Sequence, residues 1–205
     1  MFDIIAIIPA KASSIRVPNK NLSDIAGIPL FMHSVKFAKR CGIVPVVSTD
    51  SKEVINICRK NKIRYIKEVV NDSNMMFCVK QVLQKIKCKK WVLLQPTSPI
   101  RNIKVFKKML ALSYKHKSVV SVQDLKFIGF LDNKFHVAYR DQDTRRRFYH
   151  FDGNLLIADS NWVVKNSKLF SNDITYVKNE FPYYLQIDDK NEHIIVKLIK
   201  EQTTF

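Results

Sequence analysis

The chain has 205 residues, 46% of them hydrophobic, enough for one α/β core, which sets aside a disordered polypeptide. Its 35 Lys and Arg against 18 Asp and Glu give a formal charge of +17, a surface that attracts nucleotide phosphates, nucleic acid and acidic membranes alike. No apolar run is long enough to span a bilayer, and the start Met1-Phe2-Asp3 lacks a basic leader, so its apolar residues read as a strand and not a signal peptide.

Strands are expected at Asp3 to Pro9, Val44 to Ser48, Ile63 to Ile66, Trp91 to Leu94, Ser118 to Val122, Asn154 to Ala158 and Tyr183 to Ile187. Between the first five lie helical periodicities. Phe31, Val35 and Ala38 share one face; Val54, Ile57 and Cys58 a second; Val79, Val82, Leu83 and Ile86 a third; Val105, Met109 and Leu112 a fourth. That alternation predicts a three-layer α/β domain with a mainly parallel sheet, whose ligands bind beyond the carboxyl ends of the strands. A single domain over 1–205 is expected. From about Asp124 to Phe151 the rhythm fails among aromatics, mixed charges and Arg145-Arg146-Arg147, which reads as an insertion or a β-rich flap, and about 124–170 is expected to serve as an insertion or dimerisation arm within the domain. Cys41, Cys58, Cys78 and Cys88 form no C-x-x-C pair and no histidines cluster near them, so they read as reduced thiols of a cytoplasmic protein, not a zinc site.

The loop after the first strand is Pro9-Ala10-Lys11-Ala12-Ser13-Ser14-Ile15-Arg16-Val17-Pro18-Asn19-Lys20-Asn21. Small side chains let an anion approach the backbone N–H groups, and Lys11, Arg16 and Lys20 add charge; the alternative is a basic surface turn. The G-x-x-x-x-G-K-[ST] pattern is missing, so it is not a Walker loop. A second loop, Gln95-Pro96-Thr97-Ser98-Pro99-Ile100-Arg101, leaves the fourth strand with two prolines fixing the backbone while Gln95, Thr97 and Ser98 present polar groups. Its alternative is a rigid turn that caps the next helix.

These two loops resemble the cytidylyltransferases that make CMP-activated acidic sugars, especially CMP-N-acylneuraminate synthetases and their relatives for other nonulosonic acids. The first loop is similar to I-I-P-A-R-x-G-S-K-x-x-P-x-K-N, with Lys11 for the family arginine, Ser13 for glycine and Ile15 for lysine. Leu93-Leu94-Gln95-Pro96-Thr97-Ser98-Pro99-Ile100-Arg101 resembles L-L-Q-P-T-S-P-L-R almost unaltered. Val47-Ser48-Thr49-Asp50 resembles V-S-T-D, although Asp50 with Glu53 also reads as a helix-capping box. Asn71-Asp72-Ser73 stands at the family's S-D-T, without the arginine expected before it, where this chain has Lys67 and Glu68. Phe151-Asp152-Gly153-Asn154-Leu155-Leu156-Ile157 is similar to x-N-G-A-I-Y-I, and Tyr184-Leu185-Gln186-Ile187-Asp188-Asp189 to x-x-D-I-D-x, with Gln186 for the first aspartate.

The resemblance implies a nucleotide-diphospho-sugar transferase fold of Rossmann type, CTP and an acidic 2-keto sugar as substrates, Mg²⁺ (or Mn²⁺), and a homodimer. Carried over residue by residue, it places Lys11, Ser13, Ser14, Arg16, Lys20, Asn21, Asp72 and Ser73 at the nucleotide, with Lys11, Arg16, Lys20 and Asp188 in catalytic roles. It places Gln95, Thr97, Ser98, Lys126 and one of Arg145, Arg146 and Arg147 at the sugar. Asp188 and Asp189 would hold the metal; Asp189 equally reads as the cap of a helix from Asn191 to Lys200, with Glu192 as its box partner. Two rivals stand: a KDO-activating enzyme, favoured by the spacing of Arg16 and the single aspartate, and a noncatalytic nucleotide- or polyanion-binding protein, favoured by the charge. No nucleic-acid-binding module is recognisable.

Overall fold

In the computed structural model, residues 1–12, 19–68, 74–124, 127–131, 134–138 and 149–202 are described. The chain runs β1 (Phe2–Pro9), β2 (Asp24–Ile25), β3 (Ile28–Pro29), α1 (Leu30–Arg40), β4 (Val44–Thr49), α2 (Lys52–Lys60), β5 (Arg64–Lys67), α3 (Met75–Lys85) and β6 (Cys88–Leu93). It continues through α4 (Ile103–Leu112), β7 (Ser118–Asp124), β8 (Phe127–Leu131), β9 (Lys134–Ala138), β10 (Tyr149–Asp159), α5 (Ser160–Asn166), β11 (Ile174–Lys178) and α6 (Lys190–Gln202).

Seven strands form one sheet in the order β11-β7-β10-β6-β1-β4-β5. All neighbours are parallel except β10, which runs antiparallel to both β7 and β6. Central strands are apolar on both faces because helices cover both. In β1 the period of two sends Ala6 and Ile8 to the face covered by Phe31, Val35, Ala38, Val54, Cys58, Phe106 and Met109. Ile5 and Ile7 face Cys78, Val79, Val82 and Leu83 of α3 and Val163 of α5, with Trp91 fully buried among them. The expected helix faces are therefore the ones that pack, with Phe106 joining the fourth. The cysteines are free, and Cys58, Cys78 and Cys88 are buried as small core residues.

Chain order reverses beside β1: β4 and β5 continue on one side, and β6 begins the other. The loops that leave β1 and β6 start from adjacent strand ends at this reversal, the place where open α/β sheets take their ligands.

One expected strand is absent, and one strand of the seven-stranded sheet was not expected. Tyr183 to Ile187 is no strand, since Phe181–Tyr184 forms a turn and the segment after it is held by isolated bonds and not a ladder, among them Ile187 N–H donating to Thr97 O at 2.7 Å. The parallel edge strand is β11 instead, which gave little sequence signal because Ile174 and Tyr176 are exposed. Within 124–170, β10 lies between β7 and β6, in keeping with the strand expected at Asn154 to Ala158, and α5 packs over β6 and β10. Outside that sheet, β8 and β9 pair with each other antiparallel.

β10 carries a bulge between Phe151 and Leu156, where its register on β7 shifts. Gly153 makes it possible, with φ +69°, and a Cβ there would meet the Gln186 amide at 2.6 Å. The bulge turns Asp152 and Asn154, both fully buried, inward. Asp152 accepts from Ser121 Oγ, from Asn154 N at 2.9 Å and from Asn179 Nδ2 at 2.7 Å. Asn154 Nδ2 donates to Ile100 O at 2.9 Å and to Tyr183 O.

α6 closes the fold over Ile25, Leu30, Ile100 and Ile187 through Val196. Beneath it His33 is buried, its ring bonded through Nε2 to Ile25 O at 2.9 Å. Burial, with smaller contributions from Lys200, Lys36 and Arg101, lowers its pKa to about 4, against the upward pull of the Ile25 bond. A folded pKa below the unfolded value means that the unfolded chain takes up the proton first. The stability this neutral imidazole contributes is therefore whole above pH 6.5 and is lost as the pH falls toward 4, on the order of 3 kcal/mol in all. Urea unfolding of His33→Gln at pH 7.5 and pH 5 should show a clearly smaller acid loss than the parent chain; equal losses would remove His33 as the cause.

Candidate functional site

Beyond the ends of β1 and β6 lies a cavity of about 250 Å³ lined by residues from four separate stretches. Pro9, Lys11, Lys20 and Asn21 come from β1 and the loop that leaves it; Gln95, Pro96 and Thr97 from the loop after β6. Met75 and Cys78 enter from the start of α3, and Gln186 and Asp188 from the segment before α6. The first and second loops thus meet as walls of one site.

The root of the first loop is clamped from β4. Ala10 N–H donates to Ser48 O at 2.8 Å, Thr49 Oγ1 donates to Ala10 O, and Asp50 Oδ1 accepts from Ala12 N at 2.7 Å. Asp50 therefore does not cap α2, as its spacing to Glu53 suggested. Ser51 is the cap, accepting from Val54 N at 3.3 Å while its hydroxyl donates to Glu53 at 2.8 Å. The Ser-Thr-Asp triplet is scaffolding for the loop. Asn21 Nδ2 closes the other side by donating to Lys11 O at 2.8 Å.

Both lysines on the lining have carboxylate partners. Lys11 Nζ lies 3.0 Å from Glu68 Oε2, a carboxylate only 5% exposed whose other oxygen accepts from Ser48 Oγ at 2.8 Å. Lys20 Nζ donates to Ile187 O at 2.8 Å and lies 3.6 Å from Asp188 Oδ1. Glu68 was missed as a site residue. Its only sequence signal was a negative one, an acid standing where the resemblance called for an arginine.

The second loop is held from beneath by Arg101, which is 5% exposed. Its guanidinium donates to Gln95 O and to Ser34 Oγ at 3.1 Å, reaches Asn154 O at 3.4 Å, and lies over the Phe37 ring at 5.7 Å. Burial lowers its pKa to about 9, with Asp152 acting the other way, so it stays charged at neutral pH. Gln95 and Thr97 line the cavity, whereas Ser98 is fully buried behind it and is not part of the lining. Cys78 lines the cavity with its thiol pushed up to about 12 by burial, too high for a thiolate nucleophile.

Gln186 also lines the cavity, but its amide donates to Asp152 O, tying this segment to the β10 bulge. Asp188 is the carboxylate on the lining. Asp189 acts as the helix cap: its Oδ1 accepts from Glu192 N at 2.9 Å, while Glu192 Oε2 accepts from Asp189 N at 3.0 Å and Asp188 N at 2.6 Å. Ser13, Ser14, Arg16, Asp72, Ser73, Lys126, Arg145, Arg146 and Arg147 lie outside the described residues or their described side chains.

Comparison with known proteins agrees with this geometry. A CMP-N,N'-diacetyllegionaminic acid synthase of Legionella pneumophila is 27% identical over 82% of this chain and 83% of its own length. An N-acylneuraminate cytidylyltransferase of Streptococcus agalactiae is 25% identical over 94% of this chain, which spans only 52% of that longer protein. The solved structure of a CMP:2-keto-3-deoxy-manno-octonic acid synthetase complexed with CTP superposes with a TM-score of 0.78, covering 97% of this chain and 98% of that one, at 15% identity. That likeness establishes the shared fold. The cytidylyltransferase family itself matches residues 5–202, from the first core strand to the last helix, and the chain belongs to it.

Proposed function

We propose that this chain transfers CMP from CTP to the anomeric hydroxyl of an acidic 2-keto sugar, a sialic acid or related nonulosonate, releasing pyrophosphate. The observation that carries the reading is the meeting, in one cavity at the switch point of the sheet, of Lys11, Lys20 and Asn21 with Gln95, Thr97 and Asp188. The names of the legionaminic and sialic acid relatives support the same substrate class.

The hydroxyl oxygen of the sugar forms a new bond to the α-phosphorus as the bond to the β-phosphate bridge breaks, and the electron pair leaves with pyrophosphate. Such an in-line displacement needs positioning and charge neutralisation but no covalent nucleophile. Lys11 and Lys20 bring cationic side chains to the cavity lining, Asn21 holds the loop shape through Lys11 O, and Gln95 and Thr97 offer amide and hydroxyl groups to the sugar. Arg16 and one of Arg145 to Arg147 or Lys126 complete the charge at phosphate and sugar carboxylate in this reading.

Among the described residues no cluster of three His, Cys, Asp or Glu side chains forms a metal cage. Asp188 nevertheless suits Mg²⁺, a hard cation that binds through one or two carboxylates while substrate phosphates and water fill the remaining positions. When bound there, Mg²⁺ (or Mn²⁺) supplies charge neutralisation on the triphosphate. Asp189, engaged at the helix cap, leaves Asp188 as the principal ligand.

KDO is the second acceptor to consider, favoured by Gln186, whose amide is given to Asp152 and leaves a single aspartate at the cavity. A homodimer built through about 124–170, and a cytoplasmic location supported by four free cysteines, belong to the same proposal. Among the described residues no helix is long and apolar enough to cross a membrane.

Incubation with CTP, Mg²⁺ and a panel of sialic, legionaminic, pseudaminic and KDO acids should release pyrophosphate with at least one member. Silence across the panel would favour a noncatalytic nucleotide- or polyanion-binding protein. Asp188→Ala should lower turnover on the order of a hundredfold or more. Its thermal unfolding should stay within a few degrees of the parent, because the side chain is 40% exposed. Retained turnover would refute the metal assignment. Light scattering across micromolar concentrations should report twice the chain mass, and a strict monomer would refute the dimer.

A further inference from the structure

Lys20 ties the first loop to the segment that carries Asp188. It opens the short 3₁₀ turn Lys20–Leu22, and its carbonyl accepts from Ser23 N at 3.1 Å and from Ser23 Oγ at 2.7 Å, so its backbone is fixed before the side chain extends. Nζ then donates to Ile187 O at 2.8 Å, across 167 positions of chain, and lies 3.6 Å from Asp188 Oδ1. The lysine side chain is 11% exposed and the aspartate side chain 40%.

That placement bears on the metal. Mg²⁺ binds a carboxylate oxygen at about 2.1 Å, so an ion on Asp188 Oδ1 stands within about 6 Å of the ammonium, and one on Oδ2 only a carboxylate's width further. Like charges at that range repel, and screening is incomplete because the lysine is largely buried. Nor can the ammonium withdraw freely, since leaving strips Ile187 O of this donor. A half-exposed ion pair is worth little by itself, but a cation anchored by a backbone bond keeps its place however weak the pair is.

Resting on the reading of Asp188 as the Mg²⁺ ligand of a CTP site, we propose that Lys20 is the built-in counter-ion of Asp188, keeping divalent metal off this carboxylate until a triphosphate brings enough negative charge to hold both cations. Metal and nucleotide then enter together, and the empty cavity does not load metal by itself. Lys20 acts here through its charge and not as a ligand, since an ammonium has no lone pair to give.

Mn²⁺ binding without nucleotide, followed by the paramagnetic resonance of the free ion, tests this on the parent chain, Lys20→Met, Asp188→Asn and the double variant. Lys20→Met should bind Mn²⁺ about tenfold more tightly than the parent, and the double variant should lose that gain, because the gain passes through Asp188. Equal affinities of Lys20→Met and the parent would overturn the proposal, as would a gain that survives in the double variant. If Lys20→Met fails to fold for want of a donor to Ile187 O, Lys20→Gln supplies an uncharged donor and should show the same gain; its absence there overturns the proposal equally. Equilibrium dialysis of labelled CTP with and without Mn²⁺ checks the reading underneath: the ion should tighten CTP binding to the parent chain and not to Asp188→Asn. Tightening of both alike would remove the metal assignment and the proposal with it, and no CTP binding by the parent would remove the nucleotide reading itself.

Discussion

The bulge in β10 is the constraint on which the site depends. Extended strands leave no inward-facing backbone polar groups to tie loops together, but a bulge releases several at one point. Here it turns Asp152 and Asn154 into the interior, where they bind Ser121 on β7, Asn179 just after β11, Ile100 in the second loop and Tyr183 before α6. Arg101 reaches back to Asn154 O and Gln95 O, and Gln186 to Asp152 O. Three segments that are remote in sequence are therefore held to a common point beneath the cavity. Buried polar groups are costly unless partnered, so a web of this kind enforces one arrangement of the loops.

Charge is handled differently at the cavity and below it. The chain carries +17 overall, yet Lys11 and Lys20 on the lining each meet a carboxylate. Arg101, more deeply buried, is satisfied by carbonyls, a hydroxyl and the Phe37 ring, with Asp152 acting on it at longer range. The guanidinium suits this position because its planar face can stack while its edge donates. An anion entering the cavity therefore meets a lining whose two lysines are already paired with carboxylates, the Lys11 ammonium itself being buried against Glu68. Affinity for phosphate must arise from geometry as well as net attraction, which is what distinguishes a nucleotide site from a generally basic surface.

The layered architecture was legible because the central strands and the covering helices alternate over long, strongly periodic segments; Ile5 to Ile8 and the Phe31, Val35 and Ala38 face are examples. Both loops of the cavity were legible as motifs, and the capping pair Asp189 and Glu192 as local chemistry. β11 was not, since an edge strand with Ile174 and Tyr176 exposed lacks the buried alternation that marks a strand. Tyr183 to Ile187 misled for the opposite reason: its apolar residues pack on α6 and the second loop, so burial came without a ladder. Glu68 and the scaffold role of Asp50 depend on contacts across 57 and 38 positions of chain, respectively, as Lys11–Glu68 and Ala12–Asp50. No local pattern encodes such pairings.

The substitution of Gln186 for an aspartate then acquires a physical meaning. A carboxylate at this position could accept hydrogen bonds but not donate to Asp152 O, and two acceptor oxygens would face each other across the bulge. An amide can donate there, and Gly153 leaves room for it, since any Cβ would strike the same group. The Gln186 amide is a tether between the bulge and the segment that presents Asp188. The remaining carboxylate stands on a segment fixed at Gln186, at Ile187 through Thr97 O and at Asp188 through Glu192, so its direction is set by backbone anchors on three successive residues. The orientation of Asp188 therefore depends on the bulge beneath it.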